Sequence, residues 1–588
     1  MLVLLLLLGG EGCWLAWGYG INRRPFEVAA AIVLLMLIPP VRRWAADALD
    51  RIREPTWTAA NRAALGVAVA ATLLLYGFAI GRSFIPTWHD EHSHLIQAQM
   101  LARGRLWMPQ HPIADFFATF HVFVKPVYAS LYFPGTSLLY VPTVWLGLPY
   151  WLIPLLVAGA SVGLMYRVLT ELVDGVAGVL GAMFLLSMHS FRLVSVMLLS
   201  HPHMLLWGLV IVWAWLGWRR DPTWRWALLF GVASGWALVT RPLDSLCFIA
   251  PLGVSMLRDL RGKAISAALG TLALVAAGMI PFVTLQLVDD YGITGHVLES
   301  PYADYWTKTY GGTVVGFAPP DPGFTPPGPL RQMQVYHQTV NVPMLLDHTP
   351  ATILPNLVKK RLPTLFGADL PDPILLLLFP VGLLGLTDSR RRLVWSILPL
   401  LIAVYSLFPF FLQHYALPAT LPVALTVTLA IGTMAETWPR HRRAIATVLA
   451  LVVGSLAVTA MPRFRAGLED QIWAWPVMTA VHVDLPRLVK TPAVVLFPYH
   501  VGDNPHEEPV YNVDVAWPDD APIIHVQDFG PERDQELAAY YARTQPDRNF
   551  YRFDRRDGTL TPLGKPAEFL ARLRAEVAAK SGGRPVTP

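Results

Sequence analysis

Apolar residues recur along this chain in long runs separated by short polar stretches. The runs lie near 63–81, 150–169, 176–190, 203–218, 226–240, 244–257, 264–283, 373–387, 394–411, 416–435 and 444–461. About 20 apolar residues carry a helix across hydrocarbon roughly 30 Å thick, and several of these runs are shorter. The pattern predicts a polytopic α-helical membrane protein of 11 to 13 transmembrane helices, the higher count applying if residues 2–18 and 26–40 form a further hairpin. That hairpin would place Arg23 and Arg24 on the outer side, against the positive-inside rule. A signal peptide is the other reading of the start, but no Lys or Arg precedes the apolar stretch and no clean cleavage site follows it. The run Phe133–Trp145 is too short to span. It predicts an interfacial or re-entrant helix, and with an amphipathic stretch from Glu91 to Ala102 it would make the first external loop a lid on the outer leaflet.

After Met461 the pattern changes. Residues 462–588 are rich in charge and proline, with strand-like runs at Ala493–Phe497 and Ile523–Val526 and a helix-like stretch around Glu532–Tyr541. The expected organisation is a membrane domain over 1–461, with external loops at about 82–149 and 284–372, followed by a soluble external α/β domain over 462–588.

Composition supports the class. Hydrophobic residues make up 54% of the 588 and charged ones 15%, and the mean hydropathy is +0.43, outside the range of a soluble enzyme. The two cysteines, Cys13 and Cys247, both sit in apolar stretches, which argues against a disulfide framework and against thiolate metal sites. A net charge of +5 does not point to nucleic acid here, because the cations cluster in short loops. Arg42, Arg43, Arg51, Arg53 and Arg62, then Arg219 and Arg220, Arg258 with Arg261 and Lys263, Arg390 to Arg392, and Arg440 with Arg442 and Arg443 fall on alternate sides, as a cytoplasmic set must. This parity predicts a multi-pass protein of the cell membrane, with Asp90, Glu91, the 284–372 connection and the tail all outside.

Carboxylates are costly in hydrocarbon, so Asp90 and Glu91, just beyond the outer end of the 63–81 run, are the first candidates for chemistry. Other polar residues assigned to the same face are His89, His92 and His94 around the pair; Lys125, Tyr132, Pro134 and Gly135 further along the loop; His201 and His203; Arg241 and Asp244; Lys359, Lys360 and Arg361; and His414 and Tyr415. Cations beside a carboxylate at a membrane surface suggest a phosphate held near a general base. Each has a structural alternative: solvation of helix ends for the histidines, an Arg241–Asp244 pair within one turn, and ordinary headgroup contacts for Lys359 to Arg361. A divalent cation, Mg²⁺ or Mn²⁺, on Asp90 or Glu91 is the metal alternative.

The stretch His89-Asp-Glu-His-Ser-His-Leu-Ile-Gln-Ala-Gln-Met-Leu-Ala-Arg-Gly-Arg-Leu106, then Tyr132-Phe-Pro-Gly-Thr-Ser-Leu-Leu139, Ser200-His-Pro-His203 and Thr240-Arg-Pro-Leu-Asp244 resemble, in order and spacing, bacterial glycosyltransferases of the C-type superfamily. The branch is that of protein O-mannosyltransferases and aminoarabinose transferases, loosely family 39. The resemblance covers roughly residues 60–460, and Asp503-Asn-Pro-His-Glu-Glu-Pro-Val-Tyr-Asn512 is similar to the tail of uncharacterised members. Leu131 and Phe133 depart from the pattern, where many relatives carry Lys and a first Pro, which leaves Lys125 as the substitute cation. The resemblance implies inverting transfer of a sugar from a polyprenyl-phosphate donor to a lipid, glycan or protein acceptor, with Asp90 as the general base and cations on the leaving phosphate. No Gly-rich loop for a sugar nucleotide is present. A lipid or solute transporter is the alternative, although the apolar segments are nearly charge-free at their centres and show no repeat. A scaffold presenting the tail would leave Asp90 without a role.

Overall fold

The computed structural model describes residues 17–18, 23–80, 84–317, 320–321, 323–466 and 476–581. The chain divides into two compact units, one from Met1–Arg82, Pro149–Leu285 and Pro350–Gln471, the other from Ser83–Leu148, Gln286–Thr349 and Ile472–Pro588.

The first unit is helical, and each of the eleven apolar runs falls on helix, with 373–387 and 394–411 each divided over two shorter helices. Among the described residues, five helices meet the length and apolarity needed to cross a membrane by themselves: Trp57–Ala79, Leu152–Leu172, Ile265–Thr294, Gln413–Thr437 and Pro439–Ala460. Two bent pairs, Arg24–Met36 with Pro39–Arg53 (104°) and Pro350–Asp369 with Pro373–Leu384 (105°), raise the count to seven. The chain is a multi-pass membrane protein, and the expected 11 to 13 crossings exceed what length and apolarity alone supply. The first bend falls where Pro39 and Pro40 open a new helix, since proline is tolerated in a first turn but not in a helix interior. Residues 2–16 of the expected hairpin lie outside the described residues.

Helix pairing in this unit relies on small residues. A Cβ on Gly159 would come within 1.9 Å of Thr72 Oγ1, and one on Gly163 within 2.6 Å of the Ala64 carbonyl. The Leu152–Leu172 and Trp57–Ala79 helices therefore approach backbone to backbone, as membrane helices do where apolar burial gives no net drive.

The second unit holds the helix His89–Ala102, a small antiparallel sheet in the order Met108–Pro109, Val127–Ser130, Val122–Phe123, and a four-stranded sheet. In the latter, Ala493–Pro498 lies between Ile523–Asp528 and Asn549–Phe553, parallel to both, and Leu560–Gly564 closes one edge antiparallel. Ala493 to Phe497 are all buried, as expected of a parallel strand covered on both faces. One face packs Val494, Ile524, Leu537 and Phe550 with Phe116 and Phe117 of the first loop. The other packs Val495 and Phe497 on Val481 and Leu485. Tail and first loop thus share one core.

The expected lid is corrected by this unit. The helix from His89 buries ten of its fourteen residues instead of dividing into one polar and one apolar face, because its polar side chains find hydrogen-bond partners inside. Phe133–Trp145 forms two short helices, Pro134–Leu138 and Val141–Leu146. Only the end of the second is apolar and open, with Trp145 68% and Leu146 69% exposed.

Gly163→Val should force the two helices apart and lower stability by about 1–3 kcal/mol, whereas Gly66→Ala, whose Cβ meets nothing within 4 Å, should change little. Thermal melts of both variants in one detergent check this; equal melting temperatures would contradict the close approach.

Candidate active site

The His89 helix begins with its acidic residues in the first turn, where the positive end of the helix dipole favours them. Glu91 reaches back, and its Oε1 accepts from the Thr87 N–H (3.0 Å) and the Trp88 N–H (3.2 Å). This satisfies N–H groups ahead of the helix and ties the Glu91 carboxylate to the helix start. Gln97 Nε2 donates to the Tyr132 carbonyl (2.7 Å), and His94 stacks on the Tyr132 ring at 4.6 Å. His94 also meets Ser137, in the helix that Pro134 and Gly135 open. These contacts bind the 132–137 turn to the helix.

Asp90 Oδ1 lies 3.2 Å from His121 Nδ1. The Tyr132 hydroxyl stands 3.0 Å from the same nitrogen. His121 has φ +62°, a left-handed conformation uncommon outside glycine, although histidine shares with asparagine and aspartate a raised tendency to adopt it. Its backbone is held on both sides: the N–H donates to Tyr305 Oη (3.0 Å), and the carbonyl accepts from Ser93 Oγ (2.6 Å) and from the Leu131 N–H (3.2 Å). Strain maintained in this way is typical of a functional group being aimed. The sequence reading overlooked His121, because no motif or spacing distinguishes it.

Aromatic rings surround the pair. His89 stacks on Phe120 at 4.4 Å and meets the Tyr511 hydroxyl at 2.9 Å. His92 donates from Nδ1 to the Trp88 carbonyl (2.8 Å), stacks on Tyr511 at 4.2 Å, and faces His482 across 3.2 Å. Tyr511 donates to the Phe120 carbonyl (3.1 Å). Two tail residues, Tyr511 and His482, are therefore part of this site. Burial pushes the His92 imidazole down to about 4 and holds His89 and His482 well below their ordinary value. Burial, then the charge of Asp90, raises the Tyr336 hydroxyl to about 12.

Lys125 pairs with Asp115 (2.7 Å), which also accepts from Arg533 (2.8 Å). The remaining candidates lie in the first unit. Arg241 binds Asp244, and it donates to Ser200 Oγ (3.1 Å) and Tyr405 Oη (2.9 Å). Tyr405 in turn donates to Asp244 Oδ1 (2.6 Å). His201 stacks on Tyr415 and meets His414 edge-on, both at 4.5 Å, while His203 donates to the Leu199 carbonyl (2.8 Å). Arg241, Asp244, His201, His414 and Tyr415 thus form one cluster, with the unanticipated Tyr405 at its centre. The 359–361 patch divides. Lys359 and Lys360 are exposed, whereas Arg361 is buried and donates to the Tyr405 and Phe408 carbonyls, at the end of the Ile397–Ser406 helix.

Among the described residues, no group of three or more His, Cys, Asp and Glu converges as metal ligands would. Asp90 meets an imidazole, and Glu91 meets backbone N–H groups.

A multi-pass helical unit and a second unit carrying the Asp90–Glu91 helix make up a fold with a likeness among solved structures. The structure matches ArnT, an aminoarabinose transferase from Cupriavidus metallidurans solved with bound undecaprenyl phosphate, at TM-score 0.50 and 12% identity over 83% of this chain and 93% of that one. An oligosaccharyltransferase from Archaeoglobus fulgidus in its apo form gives TM-score 0.44 and 12% identity, over 83% and 69%. No protein-family model and no curated protein matches the chain.

The buried histidines set a pH dependence. His92 and His525 are both held at about 4 by burial, against an ordinary value of 6.5. As pH falls through 6.5 the unfolded chain takes up these protons first, so stability is lost from about 6.5 down to about 4, by roughly 3 kcal/mol for each group. The melting temperature of the intact protein should rise over that window and level off above it; a flat profile would contradict neutral burial.

Proposed function

We propose that this protein is an inverting glycosyltransferase that moves a sugar from a polyprenyl-phosphate donor to a lipid, glycan or protein acceptor at the outer membrane face. The observation that carries the reading is a carboxylate, Asp90, fixed through Oδ1 by an imidazole at the head of a buried helix, in a fold shared with a transferase whose structure holds undecaprenyl phosphate.

The acceptor hydroxyl attacks the anomeric carbon as the bond from that carbon to the phosphate oxygen breaks. Asp90 takes the hydroxyl proton, and the polyprenyl phosphate leaves with the bonding pair. One displacement inverts the anomeric centre. His121 orients Asp90, Glu91 holds the helix that presents it, and the rings of Tyr132, Tyr336 and Tyr511 offer apolar faces with hydroxyl tips of the kind that suit a sugar. The Arg241 and Lys359–Arg361 groups are the proposed cations for the donor phosphate, with Lys125 as the third choice.

Asp90→Asn should lower transfer by about 10² to 10⁴-fold, since the amide is nearly isosteric but cannot accept the proton. His121→Gly should fold at least as well as the parent, because glycine adopts the observed φ without penalty, yet transfer more slowly at unchanged donor KM. Cells lacking the protein should accumulate a polyprenyl-phosphate sugar, detected by mass spectrometry of membrane lipids and cleared by the parent gene but not by the Asp90→Asn form. Clearance by Asp90→Asn would remove the base from the mechanism, and absence of any accumulated carrier would remove the donor.

A reporter fused after residue 461 should read as external, and a cytoplasmic signal would reverse the proposed face. Tyr511→Phe should weaken transfer without preventing folding, since it removes the hydroxyl shared by His89 and the Phe120 carbonyl. Loss of acceptor choice alone, with the rate on a simple alcohol preserved, would restrict the tail to acceptor recognition.

A further inference from the structure

The helix that begins at the Arg241 cluster with Ser200 and His201 ends at Arg219 and Arg220, 21 residues and about 30 Å away. A cavity of about 470 Å³ opens at that end, lined by Trp57, Arg167, Glu171, Arg219, Arg220 and Arg390 among others. Its volume falls within the roughly 300–1,000 Å³ of small-molecule sites.

The guanidinium groups are preorganised. Those of Arg167 and Arg220 lie 3.8 and 3.2 Å from the Trp57 ring centroid, and Glu171 bridges the two through separate oxygens, each contact 2.9 Å. Arg167 also donates to Asn61 (2.7 Å). Its side chain is only 3% exposed, which separates it from an ordinary solvated arginine at a helix end. Arg219 pairs through Nε with Asp259 (3.0 Å), and Arg390 pairs with Asp388 (2.7 Å). Four arginines therefore stand against three carboxylates, and Arg219 Nη1 is buried without a hydrogen-bond acceptor. A guanidinium held through Nε with one Nη left without an acceptor, on the wall of a cavity with excess positive charge, suits an oxyanion.

The adjoining segment indicates where the anion comes from. Pro55 and Trp57 of the cavity wall directly follow the helix Pro39–Arg53, none of whose residues is buried. That helix carries Arg42, Arg43, Arg51 and Arg53 beside an open Trp44, the composition of a helix lying in an anionic membrane interface. We propose that the arginine cavity binds the phosphate of an anionic lipid headgroup, as a site separate from the Arg241 cluster at the other end of the Ser200–Arg220 helix.

The full-length protein in detergent is titrated with phosphatidylglycerol or with phosphatidylcholine of the same acyl chains, and retained lipid is counted by native mass spectrometry. The parent should hold phosphatidylglycerol at least fivefold better. The double variant R219Q/R390Q, which leaves the Arg167–Glu171–Arg220 contacts in place, should reduce that preference to within twofold. If it fails to fold, Arg219→Lys, which keeps the charge but loses the planar fork, should reduce the preference two- to threefold. A parallel arm measures melting with pyrophosphate and glycerol phosphate. Protection of the parent by these soluble anions, without lipid preference, would overturn the lipid source and assign a free phosphate instead. Equal lipid preference in parent and variants, or none in either, would overturn the site.

Discussion

The 3.2 Å contact between His121 Nδ1 and Asp90 Oδ1 exists because His121 accepts a left-handed backbone. A histidine in that conformation is strained, and three hydrogen bonds, from Ser93 and Leu131 and to Tyr305, hold it there. Ser93 lies one helical turn from Asp90. The helix that presents the carboxylate therefore also fixes the imidazole that aims it, and Glu91 secures the start of that helix through the Thr87 and Trp88 N–H groups. Movement of this helix would displace all three parts together.

Burial of so polar a helix has a consequence for the tail. His89 and His92 are kept neutral and enclosed by Tyr511 and His482, and the four-stranded sheet closes its core with Phe116 and Phe117. Residues 113–117 supply the apolar surface that the tail lacks, and the tail supplies the partners that the buried imidazoles need. Folding of the loop and folding of the tail are coupled by these exchanges, which explains why a segment hundreds of residues away in sequence bears on the environment of Asp90.

In the first unit, charge collects at helix ends, where hydrocarbon gives way to water and charge becomes affordable. The two ends differ in character. Around Arg241 the guanidinium, Asp244 and Tyr405 bind one another in a closed network, whereas at the other ends arginines outnumber carboxylates and line a cavity. The first arrangement pairs its charges internally, and the second leaves the excess positive charge on which the proposed headgroup site rests.

The sequence alone determined the helical segments, because the length of an apolar run is a local property and hydrocarbon imposes it directly. It also exposed Asp90 and Glu91, since two carboxylates beside an apolar run are conspicuous without any knowledge of the fold. The Arg241–Asp244 pair was legible for the same reason, its partners lying three residues apart. The strands at Ala493 and Ile523 were visible as apolar runs, although the burial of both faces was not. Tertiary structure alone decided that His121 faces Asp90, that Tyr511 and His482 reach the same helix, that Arg361 caps a helix end, and that arginines read as markers of topology enclose a volume. Each of these depends on a backbone angle or on a contact across tens to hundreds of residues. Neither leaves a periodicity in the chain, because the energy that selects it comes from packing and hydrogen bonding between segments that meet only after folding.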